Sequence, residues 1–72
     1  MMRKTEIFKI HSEYIKLGDL LKACGAVETG GQAKQLVLRK KVKVNGEICE
    51  QRGKKIKSTD CVETDDMEIR VE

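Results

Sequence analysis

Seventy-two residues, 39% hydrophobic and 38% charged with a formal net charge of +3, have room for one small core and no second one. Phe8 and Tyr14 are the only aromatic side chains, which excludes folds that read unpaired bases on a broad aromatic platform, such as an RRM sheet or an OB barrel. Cys24, Cys49 and Cys61 leave at least one thiol unpaired, show no C-x-x-C spacing, and read as small buried apolar residues in a reducing compartment.

In chain order, Met1-Met2-Arg3-Lys4-Thr5-Glu6 runs into the alternation Ile7-Phe8-Lys9-Ile10 without a long apolar stretch. Neither a conventional signal peptide nor a membrane span is expected, and the chain is expected to be cytoplasmic. Thr5 to His11 reads as a short strand. Leu17, Leu20, Leu21 and Cys24 recur at i, i+3, i+4 and i+7, the stripe of a short amphipathic helix that ends at Gly25. A second helix starts at Thr29, because Gln32 three residues on completes a capping box. Its buried stripe is Ala33, Leu36 and Val37. At about 100° per residue, Gln32, Gln35 and Arg39 fall on one flank and Lys34, Leu38 and Lys41 on the other. Arg39, Lys40 and Lys41 sit at its C-terminal end, where the helix dipole favours cations. Gly30-Gly31 fits either a close approach of a phosphate-bearing ligand to the helix N-terminus or relief of a tight helix-to-helix turn, with the turn preferred.

Val42-Lys43-Val44, Asn45-Gly46 and Glu47-Ile48-Cys49 form a hairpin signal, since Asn-Gly takes the positive φ angles of a type I′ turn. A two-residue loop sets Val42 opposite Cys49, and a three-residue loop with a bulge at Gly46 sets it opposite Ile48. Further strands are expected at Lys55 to Lys57, Cys61 to Glu63 and Met67 to Val71, the last with Met67, Ile69 and Val71 inward. Gly53 serves a bend that presents Arg52, Lys54 and Lys55 together. The layout is an α+β fold: two short packed helices followed by a small, mostly antiparallel sheet, plus the N-terminal strand, with residues 1–72 as a single domain.

Charge is unevenly spread. Between Gln32 and Lys57 lie Lys34, Arg39, Lys40, Lys41, Lys43, Arg52, Lys54, Lys55 and Lys57 against only Glu47 and Glu50, a local net charge of +7, whereas residues 58–72 sum to −5. A block this positive fits the phosphate backbone of a nucleic acid. The acidic segment reads as a solvated sheet face that offsets like-charge repulsion and steers RNA to the opposite side.

Four motifs in order carry a family resemblance: Tyr14 to Gly18 (Tyr-x-x-Leu-Gly), Gly30 to Lys34 (Gly-Gly-x-Ala-Lys), Val42 to Glu47 (Val-x-Val-Asn-Gly-Glu) and Arg52 to Lys55 (Arg-Gly-Lys-Lys). Together they resemble the S-four RNA-binding domain, also called the alpha-L motif, with a family-like core at about residues 14–63, and are closest to its small stand-alone bacterial members. Three positions depart from the broader family: Lys16 and Gly18, in Lys16-Leu17-Gly18 where many members have Arg-Leu-Asp, and Gly30, where an arginine is common.

The resemblance implies a non-catalytic RNA-binding module. It would dock on structured RNA, whether ribosomal, transfer or another stem-loop, through a basic face of the second helix and the adjoining hairpin. The candidate RNA-binding residues are Lys16, Gln32, Lys34, Gln35, Arg39, Lys40, Lys41, Lys43, Asn45, Arg52, Lys54 and Lys55. The alternative reading is a protein-interaction subunit of a ribonucleoprotein assembly that binds an acidic partner, because an acidic protein surface also satisfies lysines. No cofactor or metal is expected. His11 has no second ligand in sequence, and there is no paired-carboxylate cleft, nucleophile with its base, or phosphate-loop spacing to run an enzyme.

Overall fold

The computed structural model describes residues 4–72; Met1 to Arg3, where the N-terminal run begins, lie outside the described residues. In chain order the elements are strand β1 (Lys4–Phe8), strand β2 (Ile15–Lys16), helix α1 (Leu17–Ala23), helix α2 (Gly30–Leu38), strands β3 (Lys43–Val44), β4 (Glu47–Ile48), β5 (Lys55–Ile56), β6 (Cys61–Glu63) and β7 (Met67–Val71). This is the α+β arrangement expected from the sequence.

Five strands form one sheet in the order β1-β7-β6-β3-β4. Every pairing in it is antiparallel except β1 with β7, which run parallel from Lys4 opposite Met67 to Phe8 opposite Val71. The remaining two strands make a separate ladder, with Ile15 opposite Ile56 and Lys16 opposite Lys55. The strand expected at Lys55 to Lys57 ends at Ile56, and its partner at Ile15-Lys16 has no sequence signal, because two residues are too short to show a period of two.

The first strand ends at Phe8, short of the expected His11, although Ile10 N–H still reaches the Glu72 carbonyl at 2.9 Å. The hairpin takes the two-residue form. Asn45 and Gly46 have φ of 52° and 86°, Lys43 lies opposite Ile48, and Cys49 N–H donates to the Val42 carbonyl at 2.9 Å. Gly46 meets the left-handed requirement of the type I′ turn without a Cβ.

Both helices end in the same hydrogen-bonded cap. Gly25, at φ 78°, lets its own N–H reach the Lys22 carbonyl and Ala26 N–H reach that of Leu21. After α2 the equivalent pair is Lys40 N–H to Val37 and Lys41 N–H to Leu36, with Lys40 itself at φ 59°. These are Schellman caps, one with the usual glycine and one with a lysine in its place. Gly30 and Gly31 are not at positive φ, so the conformational demand of the inter-helix turn falls on Gly25 and not on them.

The helices pack on one face of the large sheet. Leu17, Leu20 and Leu21 from α1, Ala33 and Val37 from α2, and Val44, Val62, Ile69 and Val71 from the strands belong to one buried cluster, joined by Ile56 from β5. Strand alternation then sends Lys43, Glu63 and Glu68, which face one another across the ladders, to the opposite side of the sheet. Leu36, expected on the buried stripe, is half-buried at its margin. Of the cysteines, Cys49 is buried while Cys24 and Cys61 are half-buried, and all three are free thiols. Burial pushes the Cys24 and Cys61 thiols up, helped by Glu6 and by Glu68 with Glu63 respectively, which disfavours the reactive thiolate.

Candidate nucleic-acid interface

The first turn of α1 fixes a basic loop. A helix start leaves N–H groups without intrahelical acceptors, and here Leu17 N–H donates to the Lys54 carbonyl at 2.9 Å and Gly18 N–H to the Arg52 carbonyl at 2.8 Å. A turn closed by Lys54 N–H on the Gln51 carbonyl, 3.2 Å, holds Arg52 and Gly53 at its tip. The backbone of residues 52–54 is therefore tied to the helix, and the Arg52 side chain is left exposed.

Gly18 lets this loop come close. A Cβ there would sit 3.5 Å from the Arg52 carbonyl oxygen and 3.9 Å from the Ala33 Cβ, so α1, α2 and the loop meet at this point. Around the junction runs a groove of about 330 Å³ lined by Lys16, Gly18, Asp19, Lys22, Gly30, Arg52 and Gly53. Its one carboxylate, Asp19, stands 3.8 Å from Lys22. Gly30 opens α2 in the wall of this groove, and Lys34, four residues on, lies on the same side of the helix one turn further along.

At the start of α2, Thr29 Oγ1 accepts from Gln32 N–H at 3.1 Å, while Gln32 Oε1 accepts from Glu28 N–H at 2.7 Å. The capping box is present, with its return bond one residue earlier than expected. The Gln32 side-chain carbonyl is thereby occupied inside the protein. Gly30 and Gly31, the first two residues of the helix, have no intrahelical acceptor for their N–H groups.

The β2–β5 ladder adds to the basic side. Lys16 and Lys55 are directly opposed, an arrangement that costs energy between like charges. The Lys55 ammonium lies 4.9 Å from the centroid of the Tyr14 ring.

Other candidates go elsewhere. Lys40 is 3.7 Å from Glu50 and Lys41 is 3.1 Å from Asp65. Arg39 is the C-terminal cap residue of α2 and shares a groove with Lys41, Asp65 and Asp66. Lys43 is exposed on the far side of the sheet. Lys54 faces the hairpin, in a groove with Glu47 and Glu50. Asn45 is spent internally: its amide donates to Asp60 Oδ1 at 3.1 Å and accepts from Cys61 N–H at 2.9 Å. Asp60 is held below the usual carboxylate range, first by the Lys57 N–H and, against an opposing desolvation, by the Asn45 amide and the nearby Lys54 and Lys57 charges. Gln35 is exposed on α2.

The structure therefore brings Lys16, Arg52 and Lys55 into one neighbourhood, with Lys34 beside it. It separates them from residues 39–41, Lys43 and Asn45. Lys22, which the sequence reading passed over, joins the groove; its signal was its spacing, i+4 from Gly18 on a helix whose opposite face is all leucine.

The sequence signature of the S4 domain matches residues 8–72. The chain belongs to the S4 domain family. S4 domains are in general non-catalytic RNA-binding modules, so the coarse role of this S4 domain is RNA binding. No curated protein matches the chain. Among the described residues, no helix is long and apolar enough to cross a membrane.

Proposed function

We propose that this S4 domain docks on structured RNA through the groove where α1, α2 and the loop of residues 51–54 meet, with Lys16, Lys22, Lys34, Arg52 and Lys55 facing the phosphates. The observation that carries this reading is the convergence of Lys16, Lys22 and Arg52, from three separate segments, on one groove that holds a single carboxylate. Among the described residues, Lys16, Lys34, Arg52 and Lys55 have no carboxylate within ion-pair distance, whereas Lys40 and Lys41 do, and of the five groove cations Lys22 alone is paired, with Asp19. Cations already paired within the protein exchange one partner for another on binding RNA, and gain less than unpaired ones. Duplex or stem-loop RNA suits the site better than an unstructured strand, because A-form RNA is read mainly through its shape, phosphates and 2′-hydroxyls.

The proposal is tested by salt. If the five cations neutralise about five phosphates, a counterion-release slope near −0.9 per phosphate predicts a loss of roughly 500-fold in affinity between 50 and 200 mM salt. Polyglutamate serves as the acidic-protein comparison and is expected to bind far more weakly than RNA at the lower salt. Affinity for RNA that does not change with salt, or tighter binding to polyglutamate, would overturn the proposal.

A further inference from the structure

Lys16 and Asp19 also line a second, neighbouring groove together with Ser12, Glu13, Tyr14 and Ile15, so Lys16 stands between Arg52 on one side and the Tyr14 ring on the other. That ring is the one aromatic side chain beside the cations, and Tyr14 is the only tyrosine in a chain without tryptophan. Tyr14 is half-buried, and Ser12 Oγ donates to its main-chain carbonyl at 2.8 Å.

We propose that Tyr14 stacks one unpaired nucleotide at the edge of the RNA duplex, while Lys16, Lys55 and Arg52 hold the flanking phosphates; the inference rests on the RNA-docking reading above and narrows its target to a duplex with a single-stranded junction. Two features point to it. First, Lys16 and Lys55 are opposed across a two-residue ladder, a repulsive arrangement that an anion lying between them relieves. Second, the Lys55 ammonium rests over the Tyr14 ring. When a phosphate draws Lys55 aside, the ring face it covered becomes free. Base–aromatic stacking is stronger than an exposed cation–π contact, so replacing the ammonium with a base is favourable, and the released lysine adds a phosphate contact. One ring suffices for one nucleotide, which is consistent with a chain too poor in aromatics to read a strand.

The test compares a blunt RNA duplex with the same duplex carrying a short unpaired extension, at the 5′ end in one version and the 3′ end in another. Because Tyr14 is the sole emitter, its fluorescence reports stacking directly. The wild-type chain is expected to bind one extended duplex on the order of tenfold more tightly than the blunt one, with Tyr14 emission quenched only by the extended RNA. Tyr14→Phe is expected to keep the preference. Tyr14→Leu is expected to lose it while holding the blunt duplex as the wild type does.

Equal affinity for all three RNAs, an unquenched Tyr14, or a preference that survives in Tyr14→Leu would overturn the inference. So would a Tyr14→Leu variant that, folded by circular dichroism, loses the blunt duplex as well, since the ring would then be acting through Lys55. If Tyr14→Leu does not fold, the quenching measured on the wild type decides alone. Absence of binding to every duplex, blunt or extended, would instead refute RNA docking itself.

Discussion

Asn45 holds the first left-handed position of the hairpin turn and also ties that turn to the start of β6, through its bonds to Asp60 and Cys61. The dipeptide Asn-Gly announced the turn. Nothing in its spacing announced Asp60, fifteen residues away, because a side chain's second partner is fixed by tertiary packing. Asn45→Ala removes both bonds and places a Cβ residue without a compensating amide at positive φ, and is expected to cost about 1–3 kcal/mol, read as a lower midpoint in chemical denaturation.

The acid side of the same clamp follows from Asp60. A carboxylate whose folded-state pKa is depressed contributes stability that is present above its unfolded value, about 3.9, and is lost as pH falls through the folded value. Asp60→Asn is therefore expected to lower the Tm near neutral pH, and to show a shallower decline than the wild type as pH falls below about 4. Parallel Tm curves for the two proteins across that range would show that Asp60 is not linked to folding.

Elements with a full period of apolar residues were legible from sequence. The stripe Leu17, Leu20, Leu21 gave α1, and the alternation Met67, Ile69, Val71 gave β7 at its observed bounds. Gly25 marked the end of α1, whereas Lys40 does the same duty after α2 with a residue that carries no such signal. The β2 strand escaped because its only evidence is pairing with β5, a long-range fact. Two substitutions test these elements. Gly46→Val puts a β-branched residue at φ 86° and is expected to cost about 1–3 kcal/mol. Leu20→Ala, at a fully buried position, is expected to cost about 2–5 kcal/mol through lost burial and the cavity left behind. Thermal melts of both variants check the pair, and an unchanged Tm in either would displace that residue from the role given it.

For the whole molecule, sequence proximity and spatial proximity of charge part company. The +7 block between Gln32 and Lys57 is one run in the chain but not one face of the fold. The Schellman cap after α2 turns Lys41 toward Asp65, and strand alternation sends Lys43 behind the sheet. Meanwhile the hydrogen bonds from Leu17 and Gly18 to residues 52–54 draw Arg52 to Lys16 and Lys22, which lie outside the block altogether. The family resemblance indicated RNA, but which cations share a surface was decided by backbone bonds between segments more than thirty residues apart.

Charge reversal at Arg52 and at Arg39 separates the two ends of the helical layer. The Arg52 side chain takes no part in the main-chain bonds that anchor its loop, and both arginines are exposed, so either reversal should shift folding by no more than about 1 kcal/mol. Titrated against one structured RNA at low salt, Arg52→Glu is expected to lose at least about tenfold in affinity and to flatten the salt slope by about one. Arg39→Glu, beside Asp65 and Asp66, is expected to lose no more than about threefold, the long-range effect of changed net charge. A greater loss in Arg39→Glu than in Arg52→Glu would contradict the groove as the RNA site and move it to the far end of α2.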